Sequence, residues 1–284
     1  MGRTTQEKKL NTVSNTEQDA IDPDNPLPAH SNVSYSTEQQ HINPQVIVPC
    51  EVPLAISYNG VNHAVMMVTP QDVDDFVVGF SLTSHIIKDS NEVHDIQLTR
   101  SNDALLADLS LANRAQARLS ESKRQLAGST GCGICGIESL QKAFPDLQPL
   151  KPAEPLSEAQ LCHARCTLRD WQKLGNVSGA IHGALILDSK GDIKLSREDI
   201  GRHNALDKVI GAAMKANLLS SDATLLVTSR CSIELVQKAI TAGVSSLVTL
   251  GTPTTLAIKT AQQYGLNLIH LPRRDTPRFY DKNA

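Results

Sequence analysis

The sequence predicts an α/β protein in which a β-rich part precedes a strand–helix alternation. Three observations carry that expectation. From Arg202 onward, short β-branched apolar runs alternate with amphipathic stretches, the spacing of helices over a parallel sheet. Before this, paired apolar-alternating runs separated by turn residues read as hairpins. Residues 1–45 are rich in Asn, Gln, Ser, Thr, Asp, Glu and Pro with no apolar period, so they read as a disordered polar tail. The boundaries drawn are a tail at 1–45, a β-rich part at 46–115 and an α/β part at 116–284.

Element by element, Pro53 to Val68 reads as two strands joined by the hairpin dipeptide Asn59-Gly60. Thr69-Pro70 opens a helix whose apolar residues Val73, Phe76, Val77, Phe80 and Ile87 mostly follow helical spacing. Residues 93–99 and 104–111 form a second strand pair around Ser101-Asn102-Asp103. A helix start is expected over 137–143, then a Pro-rich spacer at 145–155, and a helix over 158–174 capped by Ser157. Strands follow at 180–187 and 192–195 around a turn at 188–191. Helices are then expected at 204–216, 233–242 and 254–264, with strands at 225–228, 246–250 and 267–271.

Composition excludes several classes. With 284 residues, 40% hydrophobic and 20% charged, the chain has enough apolar surface for one large or two small cores. A net charge of −3 and 3% aromatics do not suit a nucleic-acid surface. No apolar run reaches the roughly 20 residues that cross a bilayer. The N-terminus lacks a signal-peptide core and has Gln6 where a myristoylation signal needs Ser or Thr. Six cysteines without an export signal indicate a reducing cytoplasm and free thiols or metal ligands.

The densest chemistry lies at Cys132 and Cys135, within Gly131-Cys-Gly-Ile-Cys-Gly136. Glycines on both sides leave the thiols unscreened, and a following helix start favours thiolate. Sulfur or redox chemistry, a structural zinc half-site and a simple disulfide all remain open on this motif. Cys162 and Cys166, four apart on one helix face, would complete a four-thiolate zinc site with them; Leu161, Leu168 and Trp171 argue instead for an ordinary packed helix. A second constellation, Arg197-Glu-Asp-Ile-Gly-Arg-His-Asn-Ala-Leu-Asp-Lys208, falls where a strand gives way to a helix. There Arg202, His203 and Asn204 suit an anion at the helix N-terminus. Thr228-Ser-Arg230-Cys-Ser232 and Leu250-Gly-Thr-Pro-Thr-Thr255 repeat that junction, with Arg230 as a second phosphate contact. Cys231 alone is a small packed residue. His182 sits in a strand among Gly and Ala that permit close ligand approach.

These motifs, taken with Pro53-Leu-Ala-Ile, Gly79-Phe80 and Pro253-Thr-Thr-Leu-Ala257, closely resemble the formate dehydrogenase accessory sulfurtransferase family (FdhD/NarQ) over about Pro53 to Leu271. The resemblance implies a cytidine-deaminase-like three-layer αβα core, although the deaminase signature itself is missing. It implies a sulfurtransferase that takes persulfide sulfur from a cysteine desulfurase and passes it to the molybdenum cofactor, bis-molybdopterin guanine dinucleotide, to activate formate dehydrogenase. Cys132 would be the persulfide carrier and Cys135 its assistant, with no permanent cofactor or metal. Arg202, His203, Asn204 and Arg230 would hold the dinucleotide phosphates. So would the loop Leu271, Pro272, Arg273, Arg274, Asp275 and Thr276, which aligns with a family loop that usually carries a Gly-Arg pair; here the glycine is gone. Thr83-Ser84-His85 stands where the family usually has Thr-Glu-Gly, and Ala180 where a second glycine is common. A symmetric homodimer would suit a cofactor with two similar halves. The rival expectation is a non-catalytic cofactor chaperone with zinc at its cysteines.

Overall fold

The computed structural model describes residues 19–20, 27–34, 45–128 and 145–280. Cys132, Cys135 and the helix expected at 137–143 lie outside them. β1 (Asp19–Ala20), β4 (Val52–Tyr58), β5 (Val61–Val68), β6 (Val93–Ser101) and β7 (Ala104–Leu111) form a five-stranded sheet in the order β1-β6-β7-β4-β5. Between β4 and β5, Asn59 (φ 50°) and Gly60 (φ 75°) take the left-handed conformations that a tight hairpin requires. Strand alternation puts Leu54, Ile56, Tyr58, Leu105, Ala107 and Leu109 on one buried face. β2 (His30–Ser34), within the stretch read as a polar tail, pairs with β3 (Gln45–Pro49), which begins at its end, in a two-stranded ribbon.

α1 (Val73–Thr83) starts three residues after Pro70, and Ile87 lies beyond its end. α2 (Asn113–Gly128) was not expected. Its first turns offer only Ala115, Ala117 and Leu119 as apolar residues, too few for a periodic stripe. Charge holds it instead. Arg114 Nε donates to Glu92 Oε1 at 2.6 Å and Arg118 Nη2 to Glu92 Oε2, on a carboxylate whose residue is 1% exposed. Burial alone would raise the pKa of Glu92, but Arg118, the Lys88 amide and Arg114 outweigh it and hold the group down to about 2. The stabilisation is therefore complete above the ordinary value of 4.5 and lost as pH falls towards 2. Thermal melts should show the gap between wild type and Glu92→Gln shrinking from pH 6 to pH 2.5. A gap independent of pH would refute this role for the carboxylate.

The second half is a three-layer sandwich. β8 (His182–Leu187), β9 (Ile193–Asp199), β10 (Thr224–Val227), β11 (Ser246–Thr249), β12 (Asn267–His270) and β13 (Arg278–Phe279) form a six-stranded sheet in the order β13-β12-β11-β10-β8-β9. Only β10, β11 and β12 run parallel; β8, β9 and β13 are antiparallel to their neighbours. The strands after Arg202 expected to run parallel, β10 to β12, do so, and β8, β9 and β13 extend them into a mixed sheet. The short turn at 188–191 can join only antiparallel strands, because a parallel pair needs a long crossover.

On one face α3 (Glu158–Thr167) packs Leu161, Ala164 and the following Leu168 against Leu185, Leu226, Val248 and Ile269. A capping box of Ser157 and Gln160 starts α3. The helix expected to reach residue 174 stops at Thr167; a 3-10 turn (Leu168–Trp171) and α4 (Lys173–Ser178) follow. On the other face α5 (Arg202–Lys215), α6 (Ile233–Thr241) and α7 (Thr255–Tyr264) cover Ala184, Ile186, Leu225, Val227 and Leu247. α1 crosses α5 where Gly79 meets Gly211, so the core is continuous into the first sheet. Among the described residues no helix is long and apolar enough to cross a membrane.

Candidate functional site

The ends of β9, β10, β11 and β12 and the start of β8 share one edge of the six-stranded sheet, since His182 pairs with Asp199 and β10–β12 are parallel. The three strand-to-helix junctions singled out in the sequence, and the loop after β12, therefore converge. In open α/β sheets this edge is where ligands bind.

The segment Arg197–Lys208 divides into two sets. Arg197, Glu198, Asp199, Asn204, Asp207 and Lys208 are internal scaffolding. Asp199 and Lys208, both 0% exposed, form an ion pair at 2.7 Å. Asp199 also accepts from the amides of Thr69 and Gly201, and Lys208 Nζ donates to the Thr69 carbonyl. Asn204 Nδ2 donates to the Met67 carbonyl and to Asp199 Oδ1, so its amide ties α5 to the end of β5 rather than reaching the cleft. Glu198 receives the Leu174 and Gly175 amides and so holds the start of α4. Asp207 binds Lys238 Nζ and Thr83 Oγ1, and Arg197 binds Asp75.

Arg202 and His203, by contrast, are only half buried at the start of α5. His203 Nε2 lies 3.7 Å from Glu234 Oε2, beyond hydrogen-bond reach. Burial and the Arg202 charge lower the pKa of His203. Desolvation, then Arg202 and Arg230, likewise lower that of His182. Both imidazoles are thereby biased towards the neutral form, and His182 lies within the field of both guanidiniums. Arg230 is exposed. Gly251 permits this arrangement: a Cβ there would come within 2.9 Å of the Arg230 backbone.

On the α3 side of the same edge opens a cavity of about 850 Å³, whose lining includes Arg165, Arg169, His182, Thr228 and Arg273. Among the described residues that line it there is no carboxylate. Gly183, whose amide donates to Thr228 Oγ1, lets Gln172 and Thr228 close in; a Cβ there would meet Gln172 at 3.1 Å. A polar cavity of this size, rimmed by fixed cations, suits a large anionic ligand.

The structure thus brings His182 and Arg273 into the cavity and places Arg202 and Arg230 close enough to bias His182. Leu271 is buried, its amide donating to the Thr249 carbonyl. Pro272 and Asp275 offer backbone carbonyls to Arg165, Arg274 is exposed, and the Thr276 amide closes on Asp275 Oδ1. Cys231 is 0% exposed, with burial and Glu234 pushing its thiol up to about 12, so it is not a nucleophile at neutral pH. Sequence reasoning missed Arg165, Arg169 and Gln172. Arg165 and Arg169 stand four apart on a stretch read as ordinary packing, and that cationic i, i+4 pair was the available signal.

Comparison with known proteins bears on the chain as a whole. A model of the FdhD/NarQ family matches residues 49–284. A protein named sulfur carrier protein FdhD from Bordetella bronchiseptica is 38% identical over 230 residues, covering 81% of this chain and 83% of its own. One of the same name from Acinetobacter baylyi is 38% identical over 261 residues, covering 90% and 94%. A crystal structure described as that of a formate dehydrogenase accessory protein from Desulfotalea psychrophila superposes with a TM-score of 0.67 at 20% identity, covering 89% of this chain and 97% of that one. The family model over residues 49–284 and the sequence identity to these relatives show that this chain belongs to the FdhD/NarQ family.

Proposed function

We propose that this protein accepts persulfide sulfur from a cysteine desulfurase at Cys132 and delivers it to bis-molybdopterin guanine dinucleotide, activating a formate dehydrogenase in the cytoplasm. The observation that carries this reading is the 850 Å³ cavity, rimmed by Arg165, Arg169, Arg273 and a histidine biased towards neutrality, in a chain whose relatives are named sulfur carriers. The dinucleotide is an anionic substrate of matching character. Arg273, Arg202 and Arg230 would face its phosphates, and neutral His182 would offer a hydrogen bond without adding charge. The family's cytidine-deaminase-like arrangement belongs to the same reading, with the αβα sandwich as its core.

In the loading step the Cys132 thiolate attacks the terminal sulfur of the donor persulfide. A new S–S bond forms on Cys132, the donor S–S bond breaks, and the donor cysteine leaves as thiolate, so no net oxidant is required. Cys135 assists release. Incubation of reduced protein with a desulfurase and cysteine, followed by peptide mass spectrometry, should find one added sulfur on the Cys132 peptide and none in Cys132→Ala. Tightly bound zinc with no added sulfur would instead favour a cofactor chaperone.

A further inference from the structure

Arg165 lies on α3 and lines the cavity. Its Nη1 donates to two carbonyls at once, Pro272 at 2.6 Å and Asp275 at 2.7 Å. Both N–H groups of that nitrogen are therefore committed to backbone. Nη2 stands 3.4 Å from Cys162 Sγ. A guanidinium engaged in this way serves the loop more than a ligand. The two carbonyls bracket Arg273 and Arg274, and of these Arg273 lines the cavity.

The loop has no glycine, and it closes a hairpin in which Ile269 pairs with Phe279 and His270 with Arg278. Asp275 Oδ2 holds Arg278 at 2.6 Å, while Asp275 Oδ1 accepts the Thr276 amide at 2.8 Å. These contacts tie Asp275 to the far strand of its own hairpin. Among the described residues, apart from them and the strand pairing, Arg165 supplies the hydrogen bonds that reach the loop backbone from another layer of the sandwich.

We propose that Arg165 is the positioning residue of this cavity. By fastening the carbonyls of Pro272 and Asp275 it holds the glycine-free loop in one shape, with Arg273 presented to the ligand. The proposal rests on the reading that Arg273 meets an anionic ligand, and it assigns to this chain a rigid, preorganised loop. Preorganisation strengthens binding because the cation is already placed when the ligand arrives. Arg169, one turn further along, remains the exposed cation of that wall.

The test uses the full chain with Arg165→Ala, Arg165→Gln, Arg273→Ala and the double variant Arg165→Ala/Arg273→Ala. Limited trypsin digestion of ligand-free protein reads loop opening at Arg273 and Arg274. Both Arg165 variants should be cut there about tenfold faster, with melting temperatures within about 3 °C of wild type, as for a half-exposed residue outside the core. With guanosine diphosphate as probe, Arg165→Ala should weaken binding about tenfold, the scale of one lost charge-assisted contact. The double variant should bind no more weakly than Arg273→Ala alone, because Arg165 acts through Arg273. Unchanged cleavage in both variants overturns the proposal, whatever the ligand does. Fully multiplying effects in the double variant also overturn it, by making Arg165 a direct ligand contact. If wild type binds no guanosine diphosphate while the Arg165 variants are still cut faster, the hold on the loop stands and the dinucleotide reading fails.

Discussion

Lys208→Ala is expected to leave little folded protein, whereas Arg202→Ala, in the same motif, should melt within about 2 °C of wild type and lose only ligand affinity. Lys208 and Asp199 are both 0% exposed and meet at 2.7 Å. Removing the lysine strands a carboxylate in the core, and losing one partner of a buried pair costs about 3–5 kcal/mol. A domain has only about 5–15 kcal/mol in all. The network also ties the β5–α1 connection, through Thr69, to α5 and to the end of β9. Soluble yield and thermal melts decide the matter. The paired change Asp199→Asn/Lys208→Met should recover part of the loss, because no charge is then left unpaired. A Lys208→Ala protein that melts like wild type would show that water reaches the pair and that the motif is not scaffolding.

The second large effect belongs to the helix crossing. Alanine at Gly79 would put its Cβ 1.8 Å from the Asp207 carbonyl oxygen, and alanine at Gly211 would come to 1.9 Å from that of Asp75. Neither obstacle is a flexible side-chain end, so the helices must separate. Overpacking usually costs 1–3 kcal/mol, and a rigid backbone clash on this scale should cost about 3 kcal/mol or more. Separation would also move the α5 N-terminus that carries Arg202 and His203. Gly79→Ala and Gly211→Ala should each lower the melting temperature by about 10 °C or more. Gly243→Ala, at φ 72° with nothing within 4 Å, should cost only the strain of a left-handed residue, about 1 kcal/mol. Equal, small shifts at all three positions would mean that the crossing tolerates a methyl group.

Much of the architecture was legible because it rests on local patterns. Asn59-Gly60 marks its own hairpin, Ser157 its own helix start, and the alternation after Arg202 its own sandwich layer. α2 escaped because its described anchorage is to Glu92, an ion-pair partner distant in sequence that leaves no apolar period. Likewise the spacing of Arg165 and Arg169 hinted at a cationic face, but the hold of Arg165 on backbone carbonyls beyond β12 left no mark in the sequence.

The motif Arg197–Lys208 shows where the division lies. Residue types at a strand-to-helix junction were enough to mark an anion-suited edge, because helix N-termini and strand ends present their polarity locally. Which of those side chains face the edge depended on burial against other elements. Asp199, Asn204, Asp207 and Lys208 turn inward to Thr69, Met67, Thr83 and Lys238, leaving Arg202 and His203 at the surface. By itself the sequence determined the motifs, most of the elements and the family they resemble. The tertiary structure alone decided which charges are scaffolding and which face the cleft, because desolvation and pairing are properties of the assembled layers.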